Sequence, residues 1–310
     1  MGKIPLERTI GDTYKFVFTN ILSIFGIVWL PMLIIAAAIG AVIWMVLPDI
    51  HSIDWSANGD VAHNKVAAAQ LVAKVFLMIL PLDLLFYLLF AMMMTGIQRK
   101  ALGLREGPVF VYFSLDGAVW RLLGAMIAAV VLIIIGGGLA GAAVALVFWA
   151  GTHYGLPSIY GLAEFLAVAA GVCWFFYMAV RLMFFVPAIV VAEGGFGLGR
   201  SWALGGGNFW HIVVLFLACG VAPAIVVSMV SNIVFAPFFM SFIMQIQQGV
   251  DAHRVVPPDQ LFLTMMQSMQ KMLPYFIAYE VITFPILIGL QTSMSAFAYR
   301  NITRSEVAAA

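Results

Sequence analysis

Six apolar runs, each long enough to cross a lipid bilayer and nearly free of charge, decide what this chain can become. They lie at about 21–47, 71–97, 120–150, 159–191, 209–236 and 272–299. A helix needs about 20 apolar residues to span the hydrocarbon core, and several runs exceed that, so tilt and kinks are expected. Pro31, Pro81, Pro187, Pro223 and Pro285 fall inside the runs, where a proline frees a carbonyl and bends its helix. With 64% hydrophobic residues, 9% charged residues and a mean hydropathy of +1.07, 310 residues cannot cover themselves with polar surface in water. The expected fold class is all-α: a polytopic transmembrane helical bundle of six spans, forming a single transmembrane domain over 1–310.

A net charge of +1 offers no global field for nucleic acid or acidic substrates. The distribution of charge is more informative than its sum. The N-terminal segment, the second and fourth connections and the C-terminal segment carry Lys3, Arg8, Lys15, Arg99, Lys100, Arg105, Arg121, Arg200, Arg300 and Arg304, ten basic residues. The opposite side carries Lys65, Lys74, Arg254 and Lys271, four, with Arg181 left out of both counts. By the positive-inside rule both termini are expected in the cytoplasm. The first run is longer than the ~7–15 residues of a signal-peptide core, so it reads as a retained helix. Gly2 does not read as a myristoylation site, because Leu6 stands where Ser or Thr is required. Cys173 and Cys219 lie within apolar runs and read as packing residues.

The chain is organised around residues 181–211, RLMFFVPAIVVAEGGFGLGRSWALGGGNFWH. This stretch reads as a helix leaving the bilayer, a segment lying along its surface, and a helix re-entering. Gly11-Asp12-Thr13-Tyr14 stacks over Gly199-Arg200-Ser201-Trp202, with Phe16 over Leu204 and Asn20 over Asn208. Tyr112-Phe113-Ser114 before Trp120-Arg121 forms a weaker middle copy. The pattern allows a threefold repeat of helical hairpins, 9–104, 105–196 and 197–304, with a short interfacial helix before each odd-numbered span.

Arg181, Pro187-Ala188-Ile189-Val190, Glu193-Gly194, Arg200-Ser201-Trp202-Ala203-Leu204 and Gly207-Asn208-Phe209-Trp210 together resemble a broad bacterial family. It comprises YciC-type inner-membrane proteins and the membrane domain attached to some glycerophosphodiester phosphodiesterases. The resemblance implies the six-helix fold and a bacterial inner membrane as the setting, and marks Glu193, Arg200, Ser201, Trp202, Asn208 and Trp210 as an interfacial motif. It implies no enzyme activity, because in those phosphodiesterases catalysis belongs to a separate soluble barrel.

Charged residues inside the runs are the candidate functional groups. Asp83, near the middle of the second run, costs a few kcal/mol to insert and should face protein or water. Glu164 and Glu280 stand early in the fourth and sixth runs. The three carboxylates are candidates to line an outward-open polar cavity, against the simpler alternative of backbone pairing or snorkelling. Arg181 is expected to pair with Asp83 or another acid, to contact a lipid phosphate, or to snorkel beside aromatic neighbours. His51, His63, His153 and His253 are scattered over three loops, without metal-ligand spacing. Met265, Met269 and Met272 suit the apolar face of a surface helix beginning near Pro258. Gly137 and Gly141 read as a GxxxG packing face, and Gly194-Gly195-Phe196-Gly197 lacks the lysine of a phosphate loop.

No cofactor and no catalytic constellation is expected. The expected partners are membrane lipids and other membrane-protein subunits, without nucleic acid. Two functions fit: a membrane scaffold or partner-binding module that organises the envelope, and a transporter or lipid-handling protein built around Asp83.

Overall fold

The computed structural model describes residues 2–51, 61–154, 157–251 and 258–309. Among them there is no strand, and six helical stretches are long and apolar enough to cross a membrane: Ile21–Asp49, Ala69–Ala101, Gly117–Gly151, Phe165–Glu193, Phe209–Met240 and Gln270–Arg304. The protein is an integral membrane helical bundle.

In chain order the helices are α1 (Leu6–Thr19), α2 (Ile21–His51), α3 (Val61–Ala101), α4 (Gly117–Tyr154), α5 (Pro157–Met183), α6 (Val186–Glu193), α7 (Leu198–Gly206), α8 (Phe209–Phe216), α9 (Ala222–Asp251) and α10 (Pro258–Ala309). A single π turn, Leu217–Val221, joins α8 to α9. Three antiparallel hairpins result, α2 with α3, α4 with α5, and α8–α9 with α10. Both termini lie at one end of the bundle, where the Asn301 side chain on α10 donates to the Thr9 hydroxyl on α1 at 3.1 Å.

Packing is concentrated at that end. Phe16, Val17, Ile24, Ile27, Met92, Met93, Ile97, Leu122, Val186 and Leu290 form one continuous core. Toward the loop-bearing end the hairpins expose Trp44, Phe76, Leu80, Ile134 and Ile233. Lipid solvates such surface as well as protein does, so nothing forces these halves to close on each other.

The sequence expectations for the surface segments divide. α1 and α7 are short helices placed before the first and fifth spans, as expected. The middle copy is not a helix: residues 107–116 are irregular, because Gly107-Pro108 and a series of β-branched and aromatic residues disfavour a helix there. The segment inserts into the bundle instead, burying Val109 and Tyr112, and the Trp29 indole N–H donates to the Phe110 carbonyl at 2.9 Å. The expected surface helix near Met265–Met272 is not separate either. α10 runs unbroken for 52 residues, about 80 Å at 1.5 Å per residue.

Proline also has two effects. Inside α2, α3, α9 and α10 it is accommodated within continuous helices. Near Phe184–Phe185 the fourth run breaks, and Pro187 occupies the first turn of a new helix, α6. At the π turn the Ala222 N–H reaches back to the Leu217 carbonyl. The next residue, Pro223, has no N–H for the Ala218 carbonyl, and the Tyr14 hydroxyl from α1 donates to it at 2.8 Å.

Gly26 permits the closest approach in the core, since a Cβ there would collide with the Val109 carbonyl. Gly11, on α1, has open space around it. Gly26→Ala should therefore lower stability by about 1–3 kcal/mol through overpacking, whereas Gly11→Ala should raise it by about 0.5–1 kcal/mol through helix propensity. Thermal unfolding of the two variants in one detergent checks both signs.

Candidate functional site

The residues 181–211 form the centre of the terminal end. α6 is apolar on all sides, and Val186, Pro187, Ala188, Ile189 and Val190 are all buried, which a short helix achieves only by being surrounded. It touches α3, α4, α5, α7 and α10. It ends on Gly194 at φ 75°, a left-handed cap that suits glycine.

Around α6 one contact recurs three times. An arginine in the last turns of each returning helix meets the segment that opens the following hairpin. On α3, Arg99 pairs with Asp116 and donates to the Tyr112 hydroxyl at 3.3 Å. On α5, Arg181 donates to the Trp202 carbonyl at 2.7 Å and the Tyr177 hydroxyl at 2.5 Å, beneath the Trp202 ring at 3.8 Å. On α10, Arg300 stands 3.8 Å from Asp12 of α1. The last contact returns to the first hairpin and closes a ring.

Arg181 is thus not an intramembrane counter-ion for Asp83. It lies in the last turn of α5 and is held by α7, whose Ser201 hydroxyl donates to the Arg181 carbonyl at 2.9 Å. A Cβ on Gly206 would strike the guanidinium and one on Gly205 would crowd the Arg181 backbone and stem, so these two glycines supply the flat surface on which Arg181 lies.

The other motif residues gather nearby. The Glu193 carboxylate accepts from Arg200 Nε at 2.6 Å and from the Tyr299 hydroxyl at 2.5 Å, tying α6, α7 and α10 together. Arg121 donates to the Gly194 carbonyl at 2.6 Å. Asn208 is buried; its side chain accepts from the Ile4 N–H at 3.0 Å and donates to the Leu204 carbonyl at 3.1 Å. Asn20, its counterpart in the sequence alignment, donates in the same way to the Phe16 carbonyl at 3.0 Å. Trp210 is exposed at the start of α8, where an indole suits the headgroup level.

Beside α6, toward the bilayer centre, lies a cavity of about 340 Å³. Its walls are apolar, with Phe90 and Met94 from α3, Met126 from α4, and Phe176 and Met183 from α5. One polar edge comes from α10, where Gln291, Thr292 and Ser295 line it. Gln98 fixes this edge by donating to the Thr292 carbonyl at 2.8 Å and the Ser295 hydroxyl at 2.7 Å.

Asp83 and Glu280 do not line this cavity and make no hydrogen bond or ion pair to a described residue. Asp83 is exposed and Glu280 half-buried. Their helical phase is informative. Asp83 precedes Phe90 by seven residues and Met94 by eleven, and Glu280 precedes Gln291 by eleven, so both acids share the cavity-lining faces of their helices, two to three turns nearer the loop-bearing end. Glu164 is on α5, and its side chain lies outside the described residues, as do those of His51, His63 and His253. Among the described residues, no His, Cys, Asp and Glu side chains converge as metal ligands. Gly137 and Gly141 face a shallow groove between α4 and α5, and a Cβ on either would touch nothing within 4 Å, so they are not a close-packed face.

Sequence reasoning singled out Arg181 but missed Arg99 and Arg300. The signal was available for Arg99, which stands shortly before the Tyr112 segment, but Arg300 meets a segment at the opposite end of the sequence, so its neighbours in the chain give no local signal.

The clasp at Arg99 has a pH signature. Burial by itself would raise the Asp116 carboxyl, but the Arg99 hydrogen bond and charge, with the amides of Val119 and Ala118, outweigh it and hold the group below its usual 3.8. A depressed folded pKa stabilises fully above the unfolded value and loses that contribution as pH falls through the folded value. Thermal unfolding of the wild type should show an acid-side loss below about pH 4 that Asp116→Asn, less stable at neutral pH, lacks.

Comparison with protein-family models, with curated proteins and with solved structures finds no match to this chain.

Proposed function

We propose that this integral membrane protein handles a lipid-like amphiphile rather than catalysing a reaction. The supporting observation is the central cavity, whose volume of about 340 Å³ falls within the roughly 300–1,000 Å³ of small-molecule sites. Its composition suits a flexible apolar chain: Met94, Met126, Met183 and Met294 give adaptable walls. The uncharged edge at Gln291, Thr292 and Ser295 suits one hydrogen-bonding group of the ligand. Asp83 and Glu280, on the same helix faces, are the polar groups an amphiphile would pass between the loop-bearing end and the cavity. The termini are proposed to lie in the cytoplasm, on the strength of the ten-to-four excess of basic residues. The loop-bearing end would then face outward.

Native mass spectrometry of gently extracted protein tests this reading. The wild type should retain a hydrophobic small molecule, and Ala179→Phe, which fills the cavity from α5, should lose it while the protein stays folded. Asp83→Asn should slow exchange of the bound molecule with added lipid without changing stability. Retention of a stoichiometric protein subunit, with no small molecule in either form, would instead favour the scaffold reading.

A further inference from the structure

The three arginine clasps serve as internal controls for one another, and one of them is incomplete. Arg99 has a close carboxylate and a phenol. Arg181 has a carbonyl, a phenol and two aromatic faces. Arg300 has the Phe297 ring at 4.6 Å but only a distant carboxylate, Asp12 at 3.8 Å. Arg8 shares that same oxygen at 3.9 Å. The Arg300 Nε is buried without a hydrogen-bond acceptor. Arg304, one turn further along α10, is another charged neighbour of Arg300 and is exposed.

Two guanidinium groups, Arg8 and Arg300, therefore share one carboxylate, with a third, Arg304, beside Arg300, at the end of the sixth span and so at the level of lipid headgroups. Among the described side chains of this cluster positive charge exceeds negative, and a buried donor is unmatched, the opposite of what a purely structural clasp requires. Guanidinium groups pair bidentately with phosphate. Arg8 and Arg304 are long and exposed.

We infer that the arginine cluster where α1 packs on α10, formed by Arg300, Arg8 and Arg304, is a phosphate-binding site. The phosphate belongs to an anionic lipid headgroup or to a free phosphate in the adjoining water. Occupation completes the third clasp and so strengthens the contact between the first and last hairpins. The site lies at the headgroup level and shares no residue with the central cavity, so the two proposals stand or fall separately.

The test uses the full chain and the exposed pair Arg8→Gln/Arg304→Gln, which spares the packing of Arg300 on Phe297. In one arm, native mass spectrometry counts phosphatidylglycerol retained from mixed micelles with phosphatidylcholine. In the other, thermal unfolding is followed with millimolar inorganic phosphate replacing chloride. Lys15→Gln, an exposed charge elsewhere on α1, controls for the general field. A lipid headgroup site predicts phosphatidylglycerol retention that falls about fivefold for each arginine removed, with no effect of inorganic phosphate. A free-phosphate site predicts stabilisation by inorganic phosphate that the double variant loses, with no lipid preference. The inference is overturned if neither readout changes in the double variant, or if Lys15→Gln changes them equally.

Discussion

An arginine laid against the opening segment of the next hairpin is the contact on which the terminal end of this bundle depends. Transmembrane hairpins gain little by burying apolar surface against one another, because lipid offers the same environment. Order among them must come from packing detail and from polar contacts at the level where water thins out. Arg99, Arg181 and Arg300 provide such contacts at three points of a ring. Each joins a returning helix to a segment belonging to the following hairpin, so the arrangement fixes neighbour order as well as proximity.

α6 makes this ring possible. A continuous fourth span would carry its last two turns out of the bundle, whereas the break at Phe184–Phe185 lets residues 186–193 turn inward and become the piece all three hairpins pack around. Its buried apolar surface and its Glu193 end do different jobs. The apolar surface fills the centre. Glu193, bound by Arg200 and Tyr299, fixes the rotation of α7 and α10 around that centre. The central cavity sits where the returning helices diverge from α6, so it is a geometric consequence of the same break.

The spans were legible because a run of about 20 uncharged apolar residues admits few alternatives. α1 and α7 were legible from small polar and aromatic residues at matching spacing, and Asn20 and Asn208 even make the same bond to a carbonyl four residues earlier. Arg181 has the aromatic neighbours expected for it, Tyr177 and Trp202, rather than the pairing with Asp83; the helix break after it was hidden because hydropathy continues unchanged from Phe184 to Val191, where only Pro187 and Gly194 signal it. Residues 107–116 were misread because aromatic content was given more weight than the helix-opposing Gly107-Pro108. The cavity was not legible at all: Phe90, Met126, Phe176 and Gln291 lie on four helices, and hydrophobic residues at helical spacing look alike whether they face lipid, core or a void.

The contrast between the two ends of the molecule follows from the bilayer. In water, the exposed Trp44, Phe76 and Ile233 would drive the hairpins together along their whole length. In lipid that force is absent, so a bundle fixed by a ring of polar clasps at one end has no need to close at the other. The clasped end sets which hairpins are neighbours, whereas the polar ties toward the other end, Lys74 to Asp49 and Tyr279 to the Val227 carbonyl, stay within single hairpins. The central cavity lies between these two regimes, and its position follows from where the arginines stand rather than from any one residue lining it.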